Sequence, residues 1–308
     1  MIMNLRYLTL LVFALAAATV ADAQHMVNGF IQELNHGSVC LSYSREKYDD
    51  FYFGDLRGND RPVRPLENNY GGKVVTQTVS LFMNYGIAKN LEIAVNIPYI
   101  HSQGYGERGE GKPDQEEGDF QDASLFIKWR PVSIDLNSGS LNFVAALGGS
   151  QPLADYEVKQ LISIGNQGST LTTFAVAHYQ HNSGAFIDLQ AGYSVRGNDV
   201  PNATLLGSAL GYAQSRYYFD FFSQVQISDP SAPDIMDIMQ NLGENEKPPF
   251  NETRVNFAQL GVNTYYNLVP SLGGGSNSFG ISAKLAKTVW GRNVGIPFRV
   301  SGSLIFKF

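Results

Sequence analysis

The sequence predicts an all-β fold, a transmembrane antiparallel up-and-down β-barrel of about twelve strands behind a cleaved N-terminal signal peptide. Three observations carry this expectation. In the C-terminal segment 298–308 (FRVSGSLIFKF), Phe298, Val300, Gly302, Leu304, Phe306 and Phe308 share one face, Arg299, Ser301, Ser303 and Lys307 share the other, and only Ile305 breaks the alternation. A period of two with one apolar and one polar face suits a strand between lipid and a polar lumen. At the other end, Arg6 precedes an apolar run from Leu8 to Ala21 and the small-residue site Ala21-Asp22-Ala23, the pattern of an export leader cut after Ala23. Long and short connections also alternate along the chain, as they do when short periplasmic turns are paired with longer outer loops. The expected organisation is therefore a signal peptide over 1–23 and a barrel over 24–308.

Composition narrows the alternatives. With 12% aromatic residues, 16% charged residues and a mean hydropathy of −0.14, the chain is too apolar for disorder and far too polar for a helical membrane protein. No stretch after the leader approaches the ~20 apolar residues of a spanning helix. If the mature chain crosses a membrane, it must do so as a closed barrel, which satisfies every backbone group without water. Arg6 and Asp22 cancel in the leader, so the net charge of −6 stays with the mature chain and gives no reason to expect nucleic acid as a partner. The single cysteine, Cys40, has no intramolecular disulfide partner.

Taken in order, the candidate strands lie near 38–50, 73–86, 90–102, 118–130, 141–151, 170–180, 184–196, 203–214, 216–228, 252–266, 276–288 and 296–308. Segments 51–72, 103–117, 152–169 and 229–251 are the long outer loops; Ala88-Lys89, Asn182-Ser183 and Gln214-Ser215 mark tight turns. Val132 to Ser140 and Ser271 to Gly275 are expected as longer periplasmic links, and Gly197 to Asn202 as a short outer one.

Alternation assigns the lumen. In 118–130, Ala123, Leu125, Ile127 and Trp129 should face lipid and Asp122, Ser124 and Lys128 inward; in 184–196, Ile187, Leu189, Tyr193 and Val195 oppose Asp188, Gln190, Ser194 and Arg196. In 216–228, Phe219, Phe221, Val225 and Ile227 oppose Asp220, Gln224 and Gln226. The same rule places Glu92, Asn96, Lys284 and Arg299 in the lumen. Strands 170–180 and 252–266 do not alternate cleanly and leave their registers open, which bulges would explain.

Two segments carry further signals. Asp119 and Asp122 with Lys128 and Arg130 would make either a charge-selective eyelet or a salt-bridged network filling the lumen. In loop 229–251, Ser231 is placed to cap a short helix with Asp234 at its third position; Ile235, Ile238, Met239 and Leu242 then line one face and Gly243 ends it. That face is a candidate lid or plug, or else packing against the rim. Loop 103–117 holds Glu107, Glu110, Asp114, Glu116 and Glu117 against Arg108 and Lys112, without the spacing of a calcium loop.

Segments 85–101 (YGIAKNLEIAVNIPYIH) and 118–131 (GDFQDASLFIKWRP), with Gly192-Tyr193-Ser194-Val195-Arg196-Gly197 and Gly291-Arg292-Asn293, resemble signatures of the outer-membrane family linked to the meta-pathway of phenol degradation. That resemblance implies a channel for small, often aromatic or poorly soluble compounds; it carries over no binding residues. Phe308, a terminal aromatic, likewise resembles the assembly signal read by the barrel-assembly machinery. The expected surroundings are outer-membrane lipid and lipopolysaccharide of a Gram-negative bacterium, and the expected cargo a small-molecule solute. The alternative is a non-conducting structural or surface-interaction barrel. A barrel hydrolase ranks third, because His36-Gly37-Ser38 resembles no nucleophile motif and His25, His101, His178 and His181 are scattered without metal spacing. No catalytic residue, metal or cofactor is expected.

Overall fold

The computed structural model describes residues 26–57, 73–105, 113, 115–158, 162–241, 249–272 and 277–308. The leader expected over 1–23 lies outside them. In chain order the elements are β1 (Gly37–Tyr48), β2 (Phe51–Phe53), β3 (Leu56–Arg57), β4 (Lys73–Ala88), β5 (Leu91–Tyr105), β6 (Gln115–Phe120), β7 (Asp122–Leu136), β8 (Gly139–Pro152), β9 (Thr170–His181), β10 (Ala185–Arg196), β11 (Ala203–Ala213) and β12 (Tyr217–Ser228). A short helix α1 (Ile235–Gln240) follows, then β13 (Asn256–Val269), β14 (Ser278–Arg292), β15 (Val294–Gly295) and β16 (Phe298–Lys307).

Twelve antiparallel strands close into a barrel. β6 and β7 form one wall strand interrupted at Gln121, whose N–H donates to the Pro98 carbonyl at 3.0 Å. Each strand pairs with its sequence neighbour, and β1 closes the ring on β16 in a register from Ser38↔Lys307 to Lys47↔Phe298. The seam is finished by reciprocal bonds between Gly37 and Phe308, 2.9 and 3.0 Å. Closure removes the free edges that lipid cannot satisfy.

The faces are the reverse of a soluble protein. Phe221 and Leu210 are 63% and 61% exposed on the outer wall, while Ser44, Ser80, Glu92, Asn96 and Lys128 are buried inside. Such a continuous apolar exterior is stable only against lipid. Among the described residues, no helix is long and apolar enough to cross a membrane.

Several boundaries differ from expectation for physical reasons. The link expected over Val132 to Ser140 is mostly strand: β7 runs on to Leu136, and a register shift between Trp129 and Val132 absorbs Pro131, which lacks the N–H a regular ladder needs. β13 carries register shifts at Ala258/Gln259 and Asn267/Val269, hence its unclear alternation. Ser231 is not the helix cap. Its N–H and hydroxyl donate to Asp229, while Asp234 caps α1 and forms a capping box with Asp237. Pro233 biases its predecessor towards extended backbone, so the helix begins after it.

At the long-loop end, β2, β3 and β15 form a small separate sheet. Arg292 at the end of β14 links it to the start of α1: its Nε and Nη2 both lie 2.6 Å from Oδ2 of the cap residue Asp234, and its Nη1 lies 3.9 Å from Asp55 between β2 and β3.

Candidate functional site: the lumen and the segment inside it

Residues 26–36, just before β1, turn back into the barrel instead of hanging below it. They enter at the short-turn end, where Asn35 N–H donates to the Gly86 carbonyl at 3.0 Å and Leu34 bridges Gly86. Higher up, Gln32 N–H donates to Glu92 Oε2 and Gly29 N–H to Asp188 Oδ2, both at 2.7 Å. Lys128 Nζ donates to Glu92 Oε1 at 2.9 Å, to the Phe30 carbonyl at 2.8 Å and to Asn28 Oδ1 at 3.1 Å. Backbone donors and acceptors that would be orphaned in a lumen are thus satisfied by wall side chains.

The two sides of the lumen differ. Met26 and Val27 are buried in a cluster with Phe126, Val144, Phe174, Val176 and Leu205, so the walls of β7, β8, β9 and β11 carry apolar residues inward as well as outward. This apolar inner face explains why strand 170–180 has no clean alternation. Phe30 sits edge-on against His178, Phe186 and Tyr218. Gly29 fits because a Cβ there would lie 2.0 Å from His178 Cβ. Beside the segment, a cavity of about 250 Å³ remains, walled by β1, β4, β10, β11, β12, β13, β14 and β16.

The sequence-assigned lumen residues fall into separate groups. Glu92 and Lys128 form a buried ion pair. Asn96 accepts from Ser80 Oγ at 2.5 Å. Asp188 joins the Gly29 N–H to His178 Nδ1, 3.2 Å away. Asp220 accepts from Asn263 at 3.1 and 3.2 Å and from the Tyr218 hydroxyl. Lys284 Nζ stands 4.9 Å from the Phe222 ring; Gln190 and Gln224 line the same cavity. Arg196 donates to Gln226 Oε1 at 2.8 Å, and Arg299 forks onto Glu46 Oε2 at 2.8 and 2.7 Å.

The carboxylate and cation pairs expected at one depth are not together. Asp122 is six residues along β7 from Lys128, about 20 Å at strand rise, and accepts from the Tyr156 hydroxyl at 2.5 Å. Burial and the adjacent Asp122 push that loop hydroxyl's pKa well up. Arg130 donates to Asn90 at the short-turn end. Of the residues expected in loop 103–117, Glu116 and Glu117 lie on β6: Glu116 pairs with His101 of β5 at 2.6 Å and Glu117 accepts from Glu157 N–H at 2.7 Å, so the first braces a strand pair and the second a loop. Among the described residues no cluster of His, Cys, Asp or Glu is placed to hold a metal. Ile235 and Ile238 of α1 are half-buried; the Met239 side chain and Leu242 lie outside the described residues.

Sequence reasoning missed the inserted segment. Its signal was present: Met26, Val27, Phe30 and Ile31 form an apolar stretch ahead of the first strand, and a free tail has no use for one.

A solved outer membrane channel from Pseudomonas putida F1 is similar to this chain, with a TM-score of 0.66 over 94% of this chain and 100% of that chain at 11% identity. The translocator domain of the autotransporter NalP from Neisseria meningitidis (TM-score 0.41, 12% identity, 90% and 89% coverage) and OprD of Pseudomonas aeruginosa (TM-score 0.35, 9% identity, 88% and 95% coverage) are more distant barrels. No family model and no curated protein matches the chain. Fold, closure and outward apolar band together define a twelve-stranded outer-membrane β-barrel.

Proposed function

We propose that this protein is an outer-membrane channel for passive entry of small molecules, hydrophobic or aromatic in character, through a lumen narrowed by its own residues 26–36. The observation that carries the reading is the cavity of about 250 Å³ left beside the inserted segment, walled by Phe82, Phe186 and Phe222. A barrel that served only as a shell would gain by filling that space. The likeness of segments 85–101 and 118–131 to the phenol-pathway family supports aromatic cargo. In this reading Ile235 and Ile238 of α1 belong to an outer lid, and Phe308 marks the chain for the barrel-assembly machinery.

Planar-bilayer conductance of the purified protein, with uptake of aromatic solutes into proteoliposomes, tests it. Solute-selective permeation is expected; a folded barrel that neither conducts nor admits solute would overturn it. That second outcome is the one a non-conducting barrel gives, and the packing of Met26 and Val27 into the lumen is what favours that rival. Flux through the intact barrel separates the two, because loss of residues 26–33 would open a channel and a plugged shell alike.

A further inference from the structure

We propose that the lumenal cavity is a binding site for an uncharged ring compound bearing two or more hydroxyl groups, and not for a bare hydrocarbon. This deepens the channel reading and rests on it only for how the solute arrives. Gln224 is 1% exposed and lines the cavity, yet neither its amide oxygen nor its amide nitrogen has a hydrogen-bond partner among the described residues. Ser301 of β16, 5% exposed and also lining the cavity, has an unpartnered hydroxyl as well. A buried amide left unpaired is costly, and a donor and an acceptor at one position ask for a ligand that can offer both. A hydroxyl does this; an aromatic hydrocarbon cannot.

The rest of the wall sets the class. Phe82, Phe186 and Phe222 give flat apolar faces against which a ring can lie. Asp188, Asp220 and Lys284 all line the cavity, with Lys284 in the same strand row as Asp220 across Asn263, and two carboxyl groups against one ammonium disfavour an added anion. At about 250 Å³, the space suits a single ring and not a lipid chain. Two sources share this chemistry, hydroxylated aromatics and cyclic polyols.

The test is calorimetric titration of the purified, detergent-folded full-length barrel with catechol, myo-inositol, toluene and benzoate. Saturable binding of catechol or of myo-inositol is expected, with toluene and benzoate bound much more weakly; which diol binds tells the aromatic source from the aliphatic one. Gln224→Leu keeps the volume and removes the amide, so diol affinity should fall about tenfold or more while toluene binding holds or improves. Ser301→Ala gives a milder loss in the same direction and covers the case in which Gln224→Leu fails to fold, as read from heat-modifiable gel mobility. The proposal is overturned if neither diol binds, if toluene or benzoate binds as tightly as the diols, or if both variants leave diol affinity unchanged. Because the readout is equilibrium binding, diol binding without conductance would sink only the channel reading, and conductance without diol binding would sink only this one.

Discussion

At the scale of single residues, Glu92 and Lys128 hold the inserted segment most directly. Both are about 1% exposed, and they share their remaining hydrogen bonds with Gln32, Phe30 and Asn28. Removing one partner leaves a buried charge, which typically costs about 3–5 kcal/mol, whereas removing both is far milder. Lys128→Met alone should therefore lower the denaturant midpoint of the folded barrel strongly, and the double variant Glu92→Gln/Lys128→Met should recover most of it. Equal losses would mean that the uncompensated Glu92 charge is not what costs the single variant its stability. Gly29 gives a finer test: Gly29→Ala places a methyl 2.0 Å from His178 Cβ, which must lift the segment off the wall. Higher bilayer conductance with unchanged assembly is the expected result. Neither residue's role was legible beforehand. Alternation along a strand reports which way Glu92 and Lys128 point; it says nothing about a segment from elsewhere that meets them.

At the scale of elements, the strands were readable because lipid and lumen impose opposite demands every second residue. Leu189 is 52% exposed on the outer wall, while Gln190 lines the cavity. Leu189→Arg should impair insertion, since a cation on the lipid face near the midplane costs roughly 2–4 kcal/mol, and Gln190→Arg should be tolerated. Folded yield in the membrane fraction decides it, and equal yields would refute the register. The rule failed where a second apolar surface faced inward, as in β9, and where an extra residue reset the parity, as in β13. Element ends were less legible than element faces: Pro131 reads as a stop, and only the bulge at Trp129/Val132 reveals that the strand continues. Phe308 stacks on Tyr85 at a centroid distance of 6.3 Å and bonds Gly37 across the seam. Deleting it should reduce the heat-modifiable folded form far more than deleting a residue from loop 103–117.

At the scale of the whole molecule, the barrel contains two interiors. One side is packed like the core of a soluble protein around Met26 and Val27; the other is a partly empty chamber lined by both aromatic rings and polar side chains. Removing residues 26–33 exposes the apolar side to the lumen and joins it to the chamber. Conductance should rise several-fold and discrimination between solutes should fall, measured side by side with the intact barrel; unchanged conductance would show that the segment does not set the aperture. The barrel was legible from the sequence because closure, facing and loop alternation are each periodic. The segment was not, because its place is fixed by contacts such as Gly29 to Asp188, which lie 159 residues apart and leave no local period.

That separation also ties the segment to distant parts of the wall. Residues 26–36 precede the whole wall in the chain, yet their resting place needs Asp188 and Phe186 of β10 and Tyr218 of β12 as well as β5 and β7. The segment's resting place is therefore complete only where strands from both halves of the wall are in register, so an error in any of those pairings would leave the lumen wider as well as the wall weaker.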